Sequence, residues 1–346
     1  MIPVQNVYYM LSYAFQVLNE QGYKNIAIEQ FNNVAELCAA ILTKGISVQL
    51  KRGLGREYIP ETEALSAIRG KIDISESIKT RTMLKKQLVC EYDDFSVNTY
   101  MNQVIKTTIE LLLRSDISKT RKKELRKLLV FFGEVEMLDA HIINWSFQYN
   151  RNNQTYRMLI SICYLIVKGL LQTNSDGTKK LMDFIDEQRM SRLYEKFILE
   201  YFRREHPEIT ANASQIPWQL DDNMNAMLPV MQTDIMLSKD EKTLIIDAKY
   251  YSHTLQNQYD MHTLHSGNLY QIFTYVKNKE SQLSSQPHEV SGMLLYAKTD
   301  EAALPNNTYR MSGNRISVQT LNLDCTFEQI AAQLDAIASE HFGASA

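Results

Sequence analysis

The sequence predicts a mixed α/β (α+β) protein, and three observations support this. Apolar residues recur at helical spacing over the first 45 residues and again at 101–113 and 122–132. Residues 46–89 instead break into short alternating segments separated by Gly and Pro, as short strands do. Further along, an amphipathic stretch at 191–204 precedes a series of short apolar runs. We therefore expect helices with a small β module first, and then a sheet flanked by helices.

Two helices are predicted at the start of the chain. Each is marked by apolar residues at helical spacing, namely Tyr8, Leu11, Ala14, Phe15 and Leu18 in the first and Val34, Leu37, Cys38, Ile41 and Leu42 in the second. Gly45 is the predicted stop of the second helix. The segments ISVQLKR and REYIP that follow alternate in polarity and are punctuated by Gly and Pro, so we expect short strands there.

A polar segment at 149–154 separates the two halves, which we place at 1–150 and 151–346. After it we expect a buried apolar helix at 156–171 and an amphipathic helix at 191–204 that starts at a Ser191 N-cap. The remaining predicted elements are strands near 217–220, 228–237, 243–250, 292–296 and 315–319, and helices at 268–276 and from residue 327 onward.

Composition narrows the function classes. The 346-residue chain is 45% hydrophobic and has a net charge of −3, whereas a protein that grips duplex DNA alone usually has an excess of Lys and Arg. If this protein cuts DNA, we expect another component to hold the substrate. The four cysteines (Cys38, Cys90, Cys163 and Cys325) are scattered without a CxxC pair, which argues against a structural zinc site, an iron–sulfur cluster or a disulfide framework.

No targeting or membrane segment is apparent. The opening residues MIPVQNVYYMLSYAF lack a basic region followed by an apolar run, so no signal peptide is expected. The most apolar stretch, 158–171, is interrupted by Lys168 and Gly169 and is shorter than the roughly 20 residues that span a bilayer. We therefore expect a cytoplasmic protein without membrane contact.

The residues with chemical potential lie around a predicted β-hairpin. Two apolar runs, TDIML and TLIIDAK, flank the polar turn SKDEK. With the turn centred near Asp240, Asp234 lies opposite or nearly opposite Asp247. Lys249 follows Asp247 by two residues, so both side chains point to one face of the strand. The spacing predicts two carboxylates and an ammonium close together.

Such a group suits a divalent metal. Like charges repel unless a cation lies between them, and Mg²⁺ prefers oxygen ligands such as Asp234, Asp247, the Ala248 carbonyl and water. The metal lowers the pKa of a bound water and stabilises charge on a phosphate. Lys249 is then expected to orient or deprotonate the attacking water, or to stabilise the developing charge. The alternative interpretation is that both Asp residues merely end strands and Lys249 lies at an edge.

Two further features match a nuclease pattern. Gln271 and Tyr275 are four residues apart on a predicted helix and share a face. Glu195 lies upstream, in SRLYEKFILEYF. The order of helix-Glu, Asp, D-x-K and Q-x-x-x-Y resembles the RecB-like branch of the PD-(D/E)xK nucleases. The resemblance implies a restriction-endonuclease-like mixed sheet, catalytic positions for Gln271 and Tyr275, and a metal-ligand role for Glu195, although a surface charge on an amphipathic helix explains Glu195 equally well.

A narrower resemblance covers nearly the whole chain. The segments IPVQNVYYMLSYAF, TKGISVQLKRGLGREYIPETE, IRGKIDI, LYEKF, QTDI, IIDAKYY and SGNLYQIFTYV together are similar to the McrC family. Members of this family are the nuclease subunits of McrBC modification-dependent restriction systems. The resemblance implies that Asp234, Asp247 and Lys249 take the catalytic positions of the family, with Mg²⁺ as cofactor and Mn²⁺ as a substitute.

The resemblance also implies partners. McrC proteins dock on a hexameric McrB AAA+ GTPase, stimulate its GTP hydrolysis, and cleave double-stranded DNA carrying modified cytosine, which the McrB subunit recognises. This chain contains no G-x-x-x-x-G-K-[ST] loop, in agreement with a division in which the partner uses the GTP. We expect 1–150 to be the docking and activator module and 151–346 to be the endonuclease domain.

Two other functions stay open. A stand-alone RecB-like or Cas4-like exonuclease leaves the first half of the chain unexplained, and the scattered cysteines count against its iron–sulfur form. A non-catalytic GTPase-activating scaffold is disfavoured by the intact Asp, Asp and Lys set. The basic stretch at 119–127 is interpreted as a solvated helix face, with contact to DNA phosphates or an acidic partner as the alternative.

Overall fold

The computed structural model describes residues 2–15, 18, 26, 29, 31, 33–151, 153–176, 187–222, 224–251, 255–258, 261–298 and 304–343. The chain forms two compact units. One, which we call the large-sheet unit, combines Met1–Asn32 with Ile185–Ala346, and the other, the small-sheet unit, is Asn33–Phe184. The mixed α and β character predicted from the sequence is confirmed.

The elements of the small-sheet unit are α2 to α6 and β1 to β3. In chain order they are α2 (Val34–Arg52), β1 (Glu57–Leu65), β2 (Lys71–Asp73), α3 (Ile74–Lys79), a 3₁₀ turn (Thr82–Lys85), β3 (Leu88–Ser96), α4 (Tyr100–Arg114), α5 (Lys119–Leu129), a second 3₁₀ turn (Val130–Phe132) and α6 (Tyr156–Asp176).

The elements of the large-sheet unit come from both ends of the chain. They are α1 (Val4–Ala14), α7 (Glu187–Glu205), β4 (Thr210–Asn212), β5 (Gln215–Ile216), β6 (Met231–Gln232), β7 (Ile235–Lys239), β8 (Lys242–Lys249), β9 (Leu255–Gln258), β10 (Met261–Leu264), α8 (Ser266–Gln282), β11 (Glu289–Ala297), β12 (Asn307–Met311), β13 (Asn314–Leu321) and α9 (Phe327–Phe342).

The small-sheet unit joins a helical core to an exposed sheet. Its three strands are antiparallel in the order β1-β3-β2. Gly70 turns the chain between β1 and β2 at φ +66°, where an added Cβ would lie 2.2 Å from the Glu91 carbonyl oxygen. In the core, the Tyr156 hydroxyl donates to Asn102 Oδ1 at 2.7 Å and accepts from the Gly55 N–H at 2.6 Å. These bonds tie α6 and α4 to the chain that leads into β1.

The predicted stop at Gly45 and the predicted strand at 46–52 are wrong, because α2 continues through both. Ile46 and Gln49 are buried on the same helix as Cys38 and Leu42, so packing of this face favours helix over the alternating pattern. The helix ends instead at Gly53, which has φ +91°. The predicted strand at REYIP is confirmed as the start of β1.

A six-stranded mixed sheet dominates the large-sheet unit, in the order β12-β13-β11-β8-β7-β4. Strands β8, β11 and β13 are parallel, and the hairpin partners β7 and β12 run antiparallel. Helix α8 packs on β11 so closely that a Cβ on Gly292 would lie 2.8 Å from side-chain atoms of Ile272 and Val276. Helices α7 and α9 contact β8 as well. The predicted mixed sheet flanked by helices is therefore present.

Helix α1 belongs to this unit, so the structural division differs from the predicted boundary at residue 150. The Tyr9 ring stacks on Phe327 with centroids 4.3 Å apart, and the Tyr13 hydroxyl donates to Glu205 at 2.7 Å. Asn6 Nδ2 donates to the Leu323 carbonyl at 2.8 Å. The aromatic residues of α1 thus complete a core whose other members lie about 190 to 320 residues further along the chain.

Three local predictions in this unit need correction. Helix α7 begins at Glu187, so Ser191 lies inside it, and its hydroxyl donates to Glu195 rather than capping the helix. The predicted strand at 217–220 is irregular, and pairing is confined to Gln215–Ile216. The predicted strand at 228–237 divides into β6 and β7, because the Thr233 N–H turns to the Ser214 carbonyl at 3.0 Å. Within the described residues, no helix combines the length and apolarity needed to cross a membrane.

Candidate active site

The β7–β8 hairpin places the two aspartates opposite each other. Ile235 pairs with Ile246 and Lys239 with Lys242, and Asp240 makes the tight turn at φ 53°. Continuing this register by one step sets Asp234 across from Asp247. The Ala248 N–H donates to Asp234 Oδ2 at 3.0 Å, which holds the Asp234 carboxylate against the end of β8. The predicted hairpin and its register are confirmed.

The Asp247 carboxylate is buried, at 1% exposed. Strand β8 lies between β7 and β11 and is covered by helices on both faces, so alternate side chains on both faces are shielded from water. Lys249 Nζ lies 2.9 Å from Asp247 Oδ2 as an ion pair that is not aligned as a hydrogen bond. Asp247 Oδ1 has no hydrogen-bond partner among the residues that the structure describes. A buried carboxylate oxygen without a donor is costly, so this arrangement indicates a missing ligand.

The charge balance points the same way. Burial raises the pKa of Asp234 to about 8, and the carboxylates of Asp247 and Glu195 add to the increase. Burial also raises the pKa of Asp247, against the opposing effect of Lys249. For Lys249, burial lowers the pKa, but the neighbouring carboxylates outweigh it and the pKa is raised overall. Lys249 therefore stays an ammonium, and it does not neutralise two carboxylates by itself.

A chain of hydrogen bonds runs from the lysine to helix α8. Lys249 Nζ donates to Gln271 Oε1 at 3.4 Å, and Gln271 Nε2 donates to the Tyr275 hydroxyl at 2.9 Å. The Tyr275 hydroxyl donates in turn to the Gln232 carbonyl at 3.1 Å. The predicted shared face of Gln271 and Tyr275 is confirmed, and it faces Lys249. These two side chains restrict where the ammonium can lie.

Glu195 lies on α7 and accepts a hydrogen bond from Ser191 Oγ at 2.9 Å. Its carboxylate is near enough to raise the pKa of Asp234. Nevertheless, no group of three His, Cys, Asp or Glu side chains in the described part of the chain is gathered closely enough to hold a metal by itself. The role of Glu195 as a metal ligand stays a prediction.

The structure adds residues that the sequence reasoning missed. Tyr296 pairs with Lys249 across β11 and β8, and its buried hydroxyl accepts from Asn268 Nδ2 at 2.9 Å. The Tyr251 hydroxyl donates to Asn268 Oδ1 at 3.4 Å. A tyrosine in the middle of the apolar run GMLLYA was the available signal. Of the two loop histidines, the His265 ring lies 5.4 Å from the Tyr251 ring, and the side chain of His262 lies outside the described residues.

Comparison with known proteins places the chain among restriction-system components. A family model described as "McrBC 5-methylcytosine restriction system component" matches residues 4–297, a range that contains all the site residues above. The type IV methyl-directed restriction enzyme EcoKMcrBC of Escherichia coli (strain K12) is 31% identical over 330 residues, which is 93% of each chain.

Two solved structures are similar in parts of their fold. One is the refined half-complex from the tetradecameric assembly of Thermococcus gammatolerans McrB AAA+ hexamers with bound McrC. It is 15% identical, covers 97% of this chain and 76% of that chain, and has a TM-score of 0.47. The other is the cryo-EM structure of the Thermococcus gammatolerans McrBC complex, which is 18% identical over 58% of each chain with a TM-score of 0.40.

Proposed function

We propose that this chain, which belongs to the McrBC 5-methylcytosine restriction system component family, is the DNA-cleaving subunit of a modified-cytosine-directed restriction complex. The observation that supports cleavage is the meeting of Asp234, Asp247 and Lys249 at the end of the β7–β8 hairpin. The reaction is metal-dependent hydrolysis of a DNA phosphodiester. The same chain stimulates the GTPase that moves the DNA.

The donor set fits Mg²⁺. Asp247 Oδ1 is buried without a partner, and Asp234 has a pKa of about 8 because burial and neighbouring carboxylates oppose its charge. A cation relieves both problems. Mg²⁺ typically binds one or two carboxylates and keeps several waters, so Asp234, Asp247 and the Ala248 carbonyl suffice, with Glu195 as a further ligand directly or through water. Mn²⁺ accepts the same oxygen ligands, whereas the absence of suitably spaced Cys and His disfavours zinc.

When bound, the metal lowers the pKa of a water and stabilises the charge that develops on the phosphate. Lys249 supplies a second positive charge. Because the pKa of Lys249 is raised, charge stabilisation suits it better than proton abstraction. Gln271 and Tyr275 act as positioning residues, since their hydrogen bonds anchor the ammonium to α8 and to the Gln232 carbonyl.

The partner that we propose is a McrB-like AAA+ GTPase hexamer. The family is named for a 5-methylcytosine restriction system, and the chain has no phosphate-binding loop of its own. GTP is therefore used by the partner, which also recognises the modified cytosine. The substrate is double-stranded DNA, methylated at the recognition site.

The small-sheet unit has a surface suited to docking. Apolar side chains are exposed around β1, β3 and α3, with Leu84 83% exposed; the others are Tyr58, Ile68, Ile74, Ile78, Met83 and Phe95. Exposed apolar groups at this density mark protein-binding surfaces. We refer to these seven residues as the apolar docking surface. It supports the activator role predicted for the first half of the chain.

The test is cleavage by the reconstituted complex. Wild-type chain, the AAA+ partner, GTP and Mg²⁺ should cut methylated duplex DNA, and EDTA should stop the reaction. Asp247→Asn keeps the volume of the side chain and removes its charge, so we expect cleavage to fall at least about 100-fold, a typical loss for a metal ligand's role in catalysis. Cleavage by Asp247→Asn at the wild-type rate, or cleavage that persists in EDTA, would contradict the proposed function.

A further inference from the structure

The outer face of α5 carries a row of cations. Lys119, Lys122, Lys123, Arg126 and Lys127 follow the i, i+3, i+4, i+7, i+8 spacing of one helix face, whereas Leu125 and Leu128 are buried on the opposite face. At 1.5 Å per residue the row is about 12 Å long. Four of its members are exposed and Lys122 is half-buried. We call these five residues the α5 cation row.

Helix stability does not explain this composition. The segment KTRKKELRKLL has six cations and one acid, a net charge of +5, although the whole chain is at −3. The residues outside α5 therefore sum to −8. Lys119 and Lys123 are a like-charged i, i+4 pair, as are Lys123 and Lys127, and such pairs destabilise a helix. The first turn contains no acid, so its cations also oppose the helix dipole.

The positive charge is not used inside the unit. Arg121, which faces inward, pairs with Glu124 at 2.8 Å and with Glu36 at 3.7 Å. By contrast, no member of the α5 cation row forms an ion pair with any residue in the described part of the chain. The row is therefore free to meet an external polyanion.

We propose that the α5 cation row binds the phosphate backbone of duplex DNA without sequence preference. Duplex DNA carries one negative charge per about 1.7 Å of axis, so a row about 12 Å long faces several phosphates. Lysine is depleted in protein–protein interfaces, which favours DNA over an acidic protein. This inference rests on the proposed function, because that function makes DNA the substrate. It adds that this chain, despite its net charge of −3, holds part of the substrate itself.

Salt dependence of DNA binding tests the proposal. The full-length chain is titrated with a labelled duplex of about 40 base pairs in EDTA, between about 25 and 200 mM salt. In the variant Lys122→Gln/Lys123→Gln/Arg126→Gln/Lys127→Gln, each lost phosphate contact should reduce the slope of log affinity against log salt by about 0.9. We expect the slope to fall by about 3, and affinity at the lowest salt to fall at least about tenfold.

The matched control removes the same charge elsewhere in the unit. Lys51→Gln/Arg52→Gln/Lys85→Gln/Lys86→Gln changes four exposed cations and should keep a slope close to that of wild type. The row variant should melt no lower than wild type, because it loses like-charge pairs. If it does melt lower, Lys123→Gln/Lys127→Gln alters exposed residues alone, and the slope should then fall by about 2.

Three results would overturn the proposal. They are equal slopes for the row variant and wild type, no binding by wild type at the lowest salt, and loss of GTPase stimulation with DNA binding intact, which would assign the row to an acidic protein. The proposed function is judged separately by cleavage in the reconstituted complex. A wild-type complex that cleaves while the row variant binds DNA normally would remove only the DNA contact at α5.

Discussion

The two units depart from the usual burial pattern in opposite directions. In the large-sheet unit a carboxylate, Asp247, is 1% exposed, although charged groups are rarely buried without full pairing. In the small-sheet unit an apolar side chain, Leu84, is 83% exposed. Both arrangements cost stability, and each lies where its unit is proposed to act. The comparison teaches that departures from ordinary burial locate function in this chain better than composition does.

The strands show the same contrast. β11 is buried from Val290 to Ala297, as expected for a parallel strand covered on both faces. In β1, Glu57–Leu65, every residue keeps some exposure to solvent. A strand buried on both faces gives a rigid, dry support for charge chemistry. An exposed antiparallel sheet instead offers its face to a partner.

The largest expected effect separates the two units. Asp234→Ala and Lys249→Ala should each reduce DNA cleavage by at least about 100-fold, because both remove charge from the proposed metal and phosphate site. Stimulation of the partner GTPase should not change, since the apolar docking surface is intact. The measurement is cleavage and GTP hydrolysis in the same reconstituted complex. A folded Asp234→Ala protein that fails to stimulate would break the proposed division of labour.

The reverse separation is expected from the small-sheet unit. Ile78→Glu/Leu84→Glu places two charges on the apolar docking surface, so GTPase stimulation should fall at least about tenfold, as it does when interface hot spots are lost. Met224→Glu, an equally drastic change at a residue 72% exposed on the large-sheet unit, is the control and should stimulate normally. Equal stimulation by both variants would show that the partner docks elsewhere.

Removal of residues 1–150 is not a clean substitute for that experiment. Such a truncation deletes α1, whose Tyr9 and Tyr13 pack on Phe327 in the large-sheet unit. The remaining protein would expose part of its core. Point substitutions on the apolar docking surface avoid this problem because those side chains face solvent.

A smaller effect is expected from pH and metal. The pKa of Asp234 is raised from 3.8 to about 8 by burial and nearby carboxylates, so between these values the folded state keeps a proton that the unfolded state has lost. Without metal, this group's contribution to stability is therefore present below about pH 4 and is lost as pH rises through about 8. Mg²⁺ binds the deprotonated carboxylates, so its effect grows over the same range.

Thermal melting measures this prediction. Saturating Mg²⁺ should raise the melting temperature by about 3 °C more at pH 8.5 than at pH 6, which corresponds to roughly 1 kcal/mol for a domain of this size. Asp234→Asn should remove the pH dependence of the Mg²⁺ effect, and without metal it should melt above wild type at pH 8.5. The same Mg²⁺ effect at both pH values would contradict the raised pKa of Asp234.

The smallest effects should come from the positioning residues. Gln271→Ala breaks the hydrogen bonds that link Lys249 to α8, so cleavage should fall about tenfold, mainly in kcat. Glu195→Ala should have a similar or smaller effect, and Glu195→Gln should recover part of it if the residue acts through water. Losses as large as that of Lys249→Ala would instead give Gln271 or Glu195 a direct part in the chemistry.

Much of the candidate site was predictable because its geometry is local. Asp234, Asp247 and Lys249 fall within one hairpin, whose turn length and alternation set the register. Gln271 and Tyr275 meet because helical residues four apart share a face. The α5 cations were also visible in the sequence, but their one-sided placement and lack of ion pairs became evident only from the fold.

The predictions that failed depended on distant contacts. Gly45 was expected to end a helix, yet burial of Ile46 and Gln49 carries α2 onward to Arg52. The boundary at residue 150 assumed that neighbours in sequence fold together, whereas α1 packs against Phe197 and Phe327. No local pattern encodes which surface an amphipathic helix will cover.

The sequence by itself determined the mixed fold class, the hairpin with its carboxylates and lysine, and the absence of a phosphate-binding loop. These follow from periodicity and spacing, which act over a few residues. Only the tertiary structure decided that Asp247 is buried without a hydrogen-bond partner for Oδ1, that the pKa of Asp234 rises to about 8, and that Leu84 faces solvent. Those properties depend on desolvation, and desolvation is set by every element that packs around a residue rather than by its neighbours in the chain.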